Sequence, residues 1–227
     1  MAKSVFRSSV FVLRRELLQE SRRKVSLAAV LFFAAGGLAL ISFSIGTLSL
    51  PAADRSRLNA GLLWVLLFFS SATGLPRAFV REEESNTAAA LRKSIAGPAV
   101  LAGKGLFNFA LFIAVAAVAA PMESVLLGWP IGSPSGFAGI VLLSGYGVSL
   151  VSTFLSAIVS RAGHKHVLFT LLAFPLLLPL LLPAVKATAL AADGQTADLL
   201  SYVQILVAYD GAATCGVFVL IPFVWEG

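Results

Sequence analysis

Four groups of side chains carry what chemistry this chain can offer. Three acids, Glu82, Glu83 and Glu84, follow Arg81, and Arg92 and Lys93 close the same segment. Acids at the start of a helix and bases at its end complement the helix dipole. Ser85 or Asn86 is a suitable N-cap, Thr87 follows, and Ala88 to Leu91 are good helix formers, with Gly97-Pro98 as a stop. The segment therefore reads as a short amphipathic helix able to dock a partner; a solvated charge run is the alternative. Asp210 stands inside an apolar run, where an ionisable group is by default a candidate proton or ion site. Tyr209 before it and Gly211 after it equally allow an interfacial cap, at a break between an outer helix over 196–208 and a last span. Pro175, Pro179 and Pro183 recur every four residues and lie near one face. Each removes a backbone donor and frees a carbonyl one turn earlier. In lipid those carbonyls need neighbouring helices or water, which predicts packing on that face and a hinge, a cavity wall or a static bend. His164 and His166 do not share a helical face and have no acid or cysteine close in sequence, so no metal site is expected.

Nothing else suggests catalysis. The chain has no phosphate-binding lysine loop, no nucleophile elbow and no paired-histidine zinc motif. Its one cysteine, Cys215, cannot form an intrachain disulfide and reads as a small apolar residue. A non-catalytic chain is expected.

The elements that must position these groups follow from hydropathy. Of 227 residues 58% are hydrophobic and 12% charged, with mean hydropathy +0.91. A soluble domain is about half apolar and roughly a quarter charged, so an integral membrane protein is indicated. A bilayer core needs about 20 apolar residues per helix. Six runs reach that length: 25–46, 61–80, 103–127, 137–160, 167–190 and 199–225. The segments between them, among them 48–59, 81–98 and the Pro/Gly turn 128–136, read as connections. The first run has full spanning length and no small-residue cleavage site, so it reads as a retained anchor. Ser8 to Lys24 repeats Val12, Leu13, Leu17 and Leu18 at helical spacing among arginines. That suits a helix lying in the headgroup region, or a plain basic anchor.

The net charge of +6 concentrates beside the spans. Fourteen Lys and Arg fall on the side of the termini and the Arg81 loop, against Arg55, Arg57 and Lys186 on the other. Both termini and that loop are therefore expected in the cytoplasm. Lipid headgroups, not nucleic acid, are the expected anionic partner. The expected fold is an all-α membrane protein of six transmembrane helices in one domain: a basic interfacial helix over 1–24, a bundle over 25–227, and a short cytosolic coupling helix between spans two and three.

Several segments together resemble a known family. Residues 60–104, AGLLWVLLFFSSATGLPRAFVREEESNTAAALRKSIAGPAVLAGK, are similar to haem exporter protein B, also called cytochrome c maturation protein B. Gly61, Trp64, Arg81 to Glu84, Pro98 and Lys104 occupy that family's positions. HVLFTLLAFPLLLPLLLPAVKAT, 166–188, resembles its proline-rich fifth span, and RRELLQESRRK its basic lead-in. Where the family has an acid and a glycine before Ser or Thr, this chain has Glu84-Ser85-Asn86-Thr87. The resemblance implies the permease subunit of an ABC transporter in the bacterial inner membrane. It implies a separate ATP-binding subunit, protein A, docking on Arg81, Glu82, Glu83, Glu84, Thr87, Leu91 and Arg92. It also implies haem-handling membrane protein C, small membrane protein D and haem chaperone protein E as partners. ATP would then act through one partner and haem would reside in others. Haem iron takes His, Met, Cys or Tyr. The outer side offers only Met122, Tyr202 and Tyr209, so no axial haem ligand is expected here. A homodimer and a pairing with protein C are both open. Two further classes remain: a self-contained secondary transporter coupled through Asp210, though no repeat relates the halves, and a scaffold that only assembles partners.

Overall fold

The computed structural model describes residues 2–22, 24–45, 51–74, 79, 95–160, 165–195 and 197–226. Among them are seven helices and no strand. In chain order they are α1 Ala2–Arg22, α2 Lys24–Ile45, α3 Ala52–Gly74, α4 Gly97–Leu126, α5 Pro134–Val159, α6 Lys165–Ala192 and α7 Leu199–Glu226. Four described segments are long and apolar enough to cross a bilayer: Gly97–Leu126, Pro134–Val159, Val167–Ala192 and Leu199–Trp225.

Helix α5 is the centre. Of its most apolar stretch 72% is buried, against 22–33% in the other three. It packs against α4, α6 and α7, while α3 packs against α2, α4 and α6. Its composition explains the placement. Gly145 and Gly147 let neighbours approach, and Ser144, Ser149, Ser152, Thr153 and Ser156 are small and buried. Small residues are what bring helices together in lipid, where no hydrophobic force does so. A Cβ at Gly145 would lie 2.7 Å from the Phe112 ring, and one at Gly147 would lie 2.9 Å from Leu180 and closer still to Asp210.

The turns at one end are closed by the backbone. Gly128 and Gly194 take left-handed φ values of 58° and 74°. Each follows a helix and returns the chain in a Schellman-type cap, with Trp129 N donating to Ser124 O and Gln195 N to Leu190 O. The two turns are joined: Gly132 N donates to Ala192 O at 2.8 Å and Ser133 N to Ala191 O at 2.9 Å. Side chains add to this. Ser56 Oγ donates to Asp193, Trp129 Nε1 to Ser56 Oγ, and Trp64 Nε1 to Thr188 Oγ1.

Four expectations change. The segment 52–59 is helix, not connection, because Asp54, Arg55 and Arg57 face out while Ser56 and Asn59 face protein. Gly97-Pro98 opens α4, where proline in a first helical turn sacrifices no bond; the helix expected to end there lies outside the described residues. There is no break at Asp210, since α7 runs unbroken from Leu199 to Glu226. The three prolines do not share one packed face. Pro175 and Pro179 are exposed and Pro183 is buried. A four-residue step overshoots a full turn by about 40°, so the third proline rotates into the buried stripe of Ala173, Leu177, Leu180, Ala184 and Ala187. Support for the disrupted backbone comes from α7. Tyr209 Oη donates to Leu176 O at 2.8 Å, beside the carbonyl that Pro179 frees.

The α5–α7 contact yields a prediction. Gly147→Ala must push α7 aside and should cost about 1–3 kcal/mol. Gly139→Ala, with nothing within 4 Å of its Cβ, should not. Thermal unfolding of the two variants in detergent checks this, and equal midpoints would refute the close approach.

Candidate functional site

The residues proposed to dock a partner, Arg81, Glu82, Glu83, Glu84, Thr87, Leu91 and Arg92, lie outside the described residues. The description resumes at Ile95, where α4 is about to begin. Among the described residues that junction is held from several sides.

Three elements converge on the start of α4. Trp225, near the end of α7, donates from Nε1 to Ile95 O at 3.2 Å. Its side chain presses on Gly97, where a Cβ would meet it at 2.9 Å. Phe79 packs edge-on against Trp225 with ring centroids 6.1 Å apart. On the other side α1 crosses α4 at Gly103: a Cβ there would lie 2.7 Å from both Ser9 O and Val12 Cβ. A distinct apolar cluster surrounds the junction, built from Phe79, Val100, Leu101, Phe154, Ile221 and Trp225 with others.

Inside it lies an ion pair. Lys104 has no accessible surface, and its Nζ donates to Glu16 Oε1 at 2.7 Å. The ammonium also sits 5.0 Å from the centre of the Phe79 ring, a cation–π distance. A charge removed from water must be paired and hydrogen-bonded to be tolerated. The pair therefore ties α1 to α4 at one rotation and one height. One turn further along α4, Asn108 Nδ2 donates to Thr153 Oγ1 at 2.8 Å, and Thr153 donates on to Ser149 O. Polar contact thus continues from the junction into the central helix.

The other buried acids among the described residues lie apart from this junction. Asp210 is buried against Gly147, and neither carboxylate oxygen has a hydrogen-bond partner among the described residues. Glu123, near the far end of α4, has no accessible surface and is likewise without a partner there. Asn59 on α3 shares that condition. Lys186 is exposed. Met122 and Tyr202 are half-buried, and Tyr209 is engaged with the Leu176 carbonyl. Among the described residues no group of three or more His, Cys, Asp or Glu could hold a metal. His164 lies outside those residues.

Sequence reasoning singled out Lys104 as a position shared with the family and missed its pairing with Glu16. The available signal was a lone lysine at the mouth of an apolar helix and an acid beside two arginines. Nothing in a separation of 88 residues says that they meet.

The arrangement defines a class: a multi-pass helical membrane protein in which a buried ion pair joins two helices. The chain belongs to the CcmB protein family, whose model matches residues 7–226. It is thus a membrane component of the cytochrome c maturation haem export system. No curated protein matches it individually.

The ion pair carries a prediction. Lys104→Met leaves Glu16 buried and uncompensated and should destabilise by about 3–5 kcal/mol. Lys104→Met combined with Glu16→Leu should recover most of that loss. A double-mutant cycle on thermal unfolding measures the coupling; additive losses would mean that the pair does not interact.

Proposed function

We propose that the chain is the permease subunit of an ABC-type complex, one membrane domain driven by ATP hydrolysis in a separate subunit. In this reading six helices span the bacterial inner membrane, with α2 and α3 supplying the two spans beyond the four most apolar ones. Both termini and the Arg81 segment face the cytoplasm, as the lysine and arginine bias supports. The ATP-binding subunit, protein A, docks on Arg81 to Arg92. Proteins C, D and E complete the assembly and hold the haem, and this chain ligates neither haem nor ATP.

One observation carries the coupling argument. The charged segment leads straight into the start of α4, and that start is gripped by α1, Phe79 and Trp225. A push on the segment would therefore reach α4, α1 and α7 together rather than dissipate in a loose loop. Pro175, Pro179 and Pro183, with Tyr209 bracing the backbone between them, make α6 the favoured hinge.

Charge reversal of Glu82, Glu83 and Glu84 to lysine tests the docking assignment. Stimulated ATPase activity should fall at least tenfold while the bundle keeps its unfolding midpoint. Normal binding and stimulation by the triple variant would end the assignment. A second reading, a self-contained transporter coupled at Asp210, is favoured by the burial of that carboxylate without a partner among the described residues. Gradient-driven transport by the lone chain, abolished in Asp210→Asn, would select it.

A further inference from the structure

We infer that the outward face of α1 binds an anionic phospholipid, with the headgroup phosphate held between Arg14 and Arg15 and the acyl chains lying along Phe11 and Leu18. The rotation of α1 is set by its inner face. Ser9, Val12 and Glu16 are buried, against Gly103 and Lys104 of α4. At 3.6 residues per turn, the positions turned away from those three are Phe11, Arg14 and Leu18, with Arg15, half-buried, on the flank between the two faces. Phe11 is 63% exposed and Leu18 52%. Phe11, Arg14, Arg15, Leu18 and Gln19 line a shallow cavity of about 400 Å³.

This combination selects its occupant. Two arginines lining one cavity supply the positive charge that a phosphate needs. A large exposed aromatic and a leucine, one turn to either side, have no use for a free anion but suit the first carbons of acyl chains. Height agrees as well. Lys104 lies seven residues into α4, about 10 Å along that helix at 1.5 Å per residue. The ion pair to Glu16 therefore fixes α1 near the boundary of headgroups and hydrocarbon, the depth at which an interfacial helix meets lipid. The same contact links the bound lipid, through Glu16 and Lys104, to the start of α4.

The test uses the full chain in detergent, loaded with phosphatidylglycerol or phosphatidylcholine and read by native mass spectrometry. The wild type should retain phosphatidylglycerol over phosphatidylcholine. Each of Arg14→Gln and Arg15→Gln should weaken phosphatidylglycerol retention about fivefold, the effect of one basic group at an anionic surface. Arg57→Gln, at an exposed site on α3, should leave it unchanged. Phe11→Ser should weaken phosphatidylglycerol retention too, because the acyl contact is lost. Unfolding midpoints, followed in parallel, should stay within a degree or two for the exposed Phe11, Arg14 and Arg57. Three results would overturn the inference: equal retention by the double arginine variant, displacement of the lipid by soluble glycerol phosphate, or a change of oligomeric state in that variant without lipid. The second would make the site one for free anions, and the third an interface between copies.

Discussion

An ammonium group with no accessible surface cannot stand alone inside an apolar bundle, and Lys104 is such a group. It is paired with Glu16, on an amphipathic helix rich in arginine. The need to pair that charge brings α1 out of a purely interfacial role and seats it on α4. The seat is made possible by Gly103, because any side chain there would strike the backbone of α1. Once α1 is seated, its rotation is decided, and so is the set of residues that it turns outward. Phe79 and Trp225 complete the same enclosure from the other side. The start of α4 is thereby bound to the first helix, to the last helix and to the end of the second apolar run.

A second constraint is the backbone itself. In hydrocarbon every freed carbonyl must find a donor. The three prolines of α6 raise this problem in one helix, and the tyrosine hydroxyl of α7 donates to Leu176 O, next to the carbonyl that Pro179 frees. At the opposite end of the bundle, glycine-based caps on α4 and α6 return their last carbonyls to the chain, and the two turns then bond to each other. One end is thus locked by backbone hydrogen bonds and indole donors. The other is locked by an ion pair and an aromatic cluster. The three prolines of α6 lie between these two fastenings.

Much of this was legible in the residues. Apolar runs of spanning length locate the helices, and turn residues such as Gly128 and Gly194 mark where they end. The errors share a cause. The segment 52–59 looked like a loop because its charges are conspicuous, yet three exposed charges and two buried polar residues fit a helix with one face in water. Asp210 looked like a break because an acid flanked by tyrosine and glycine is unusual in a span. Close packing against Gly147 holds it in an unbroken helix. The proline face failed because four-residue spacing is near, but not equal to, the helical repeat, and the drift over two steps moves Pro183 from lipid to protein.

The sequence by itself determined that this is a helical membrane protein, where its apolar helices run, and, through residues shared along nearly the whole chain, its place in the cytochrome c maturation system. Those properties are local or additive. Hydropathy sums along a segment, and a helix is closed by bonds within four residues. Tertiary structure alone decided that α5 is central, that Glu16 answers Lys104, that Tyr209 braces the proline helix, and that Phe11, Arg14 and Leu18 share the outward face of α1. Each of these depends on two elements distant in sequence meeting at a particular height and rotation. Burial cost and close packing select that meeting only once every helix is in place.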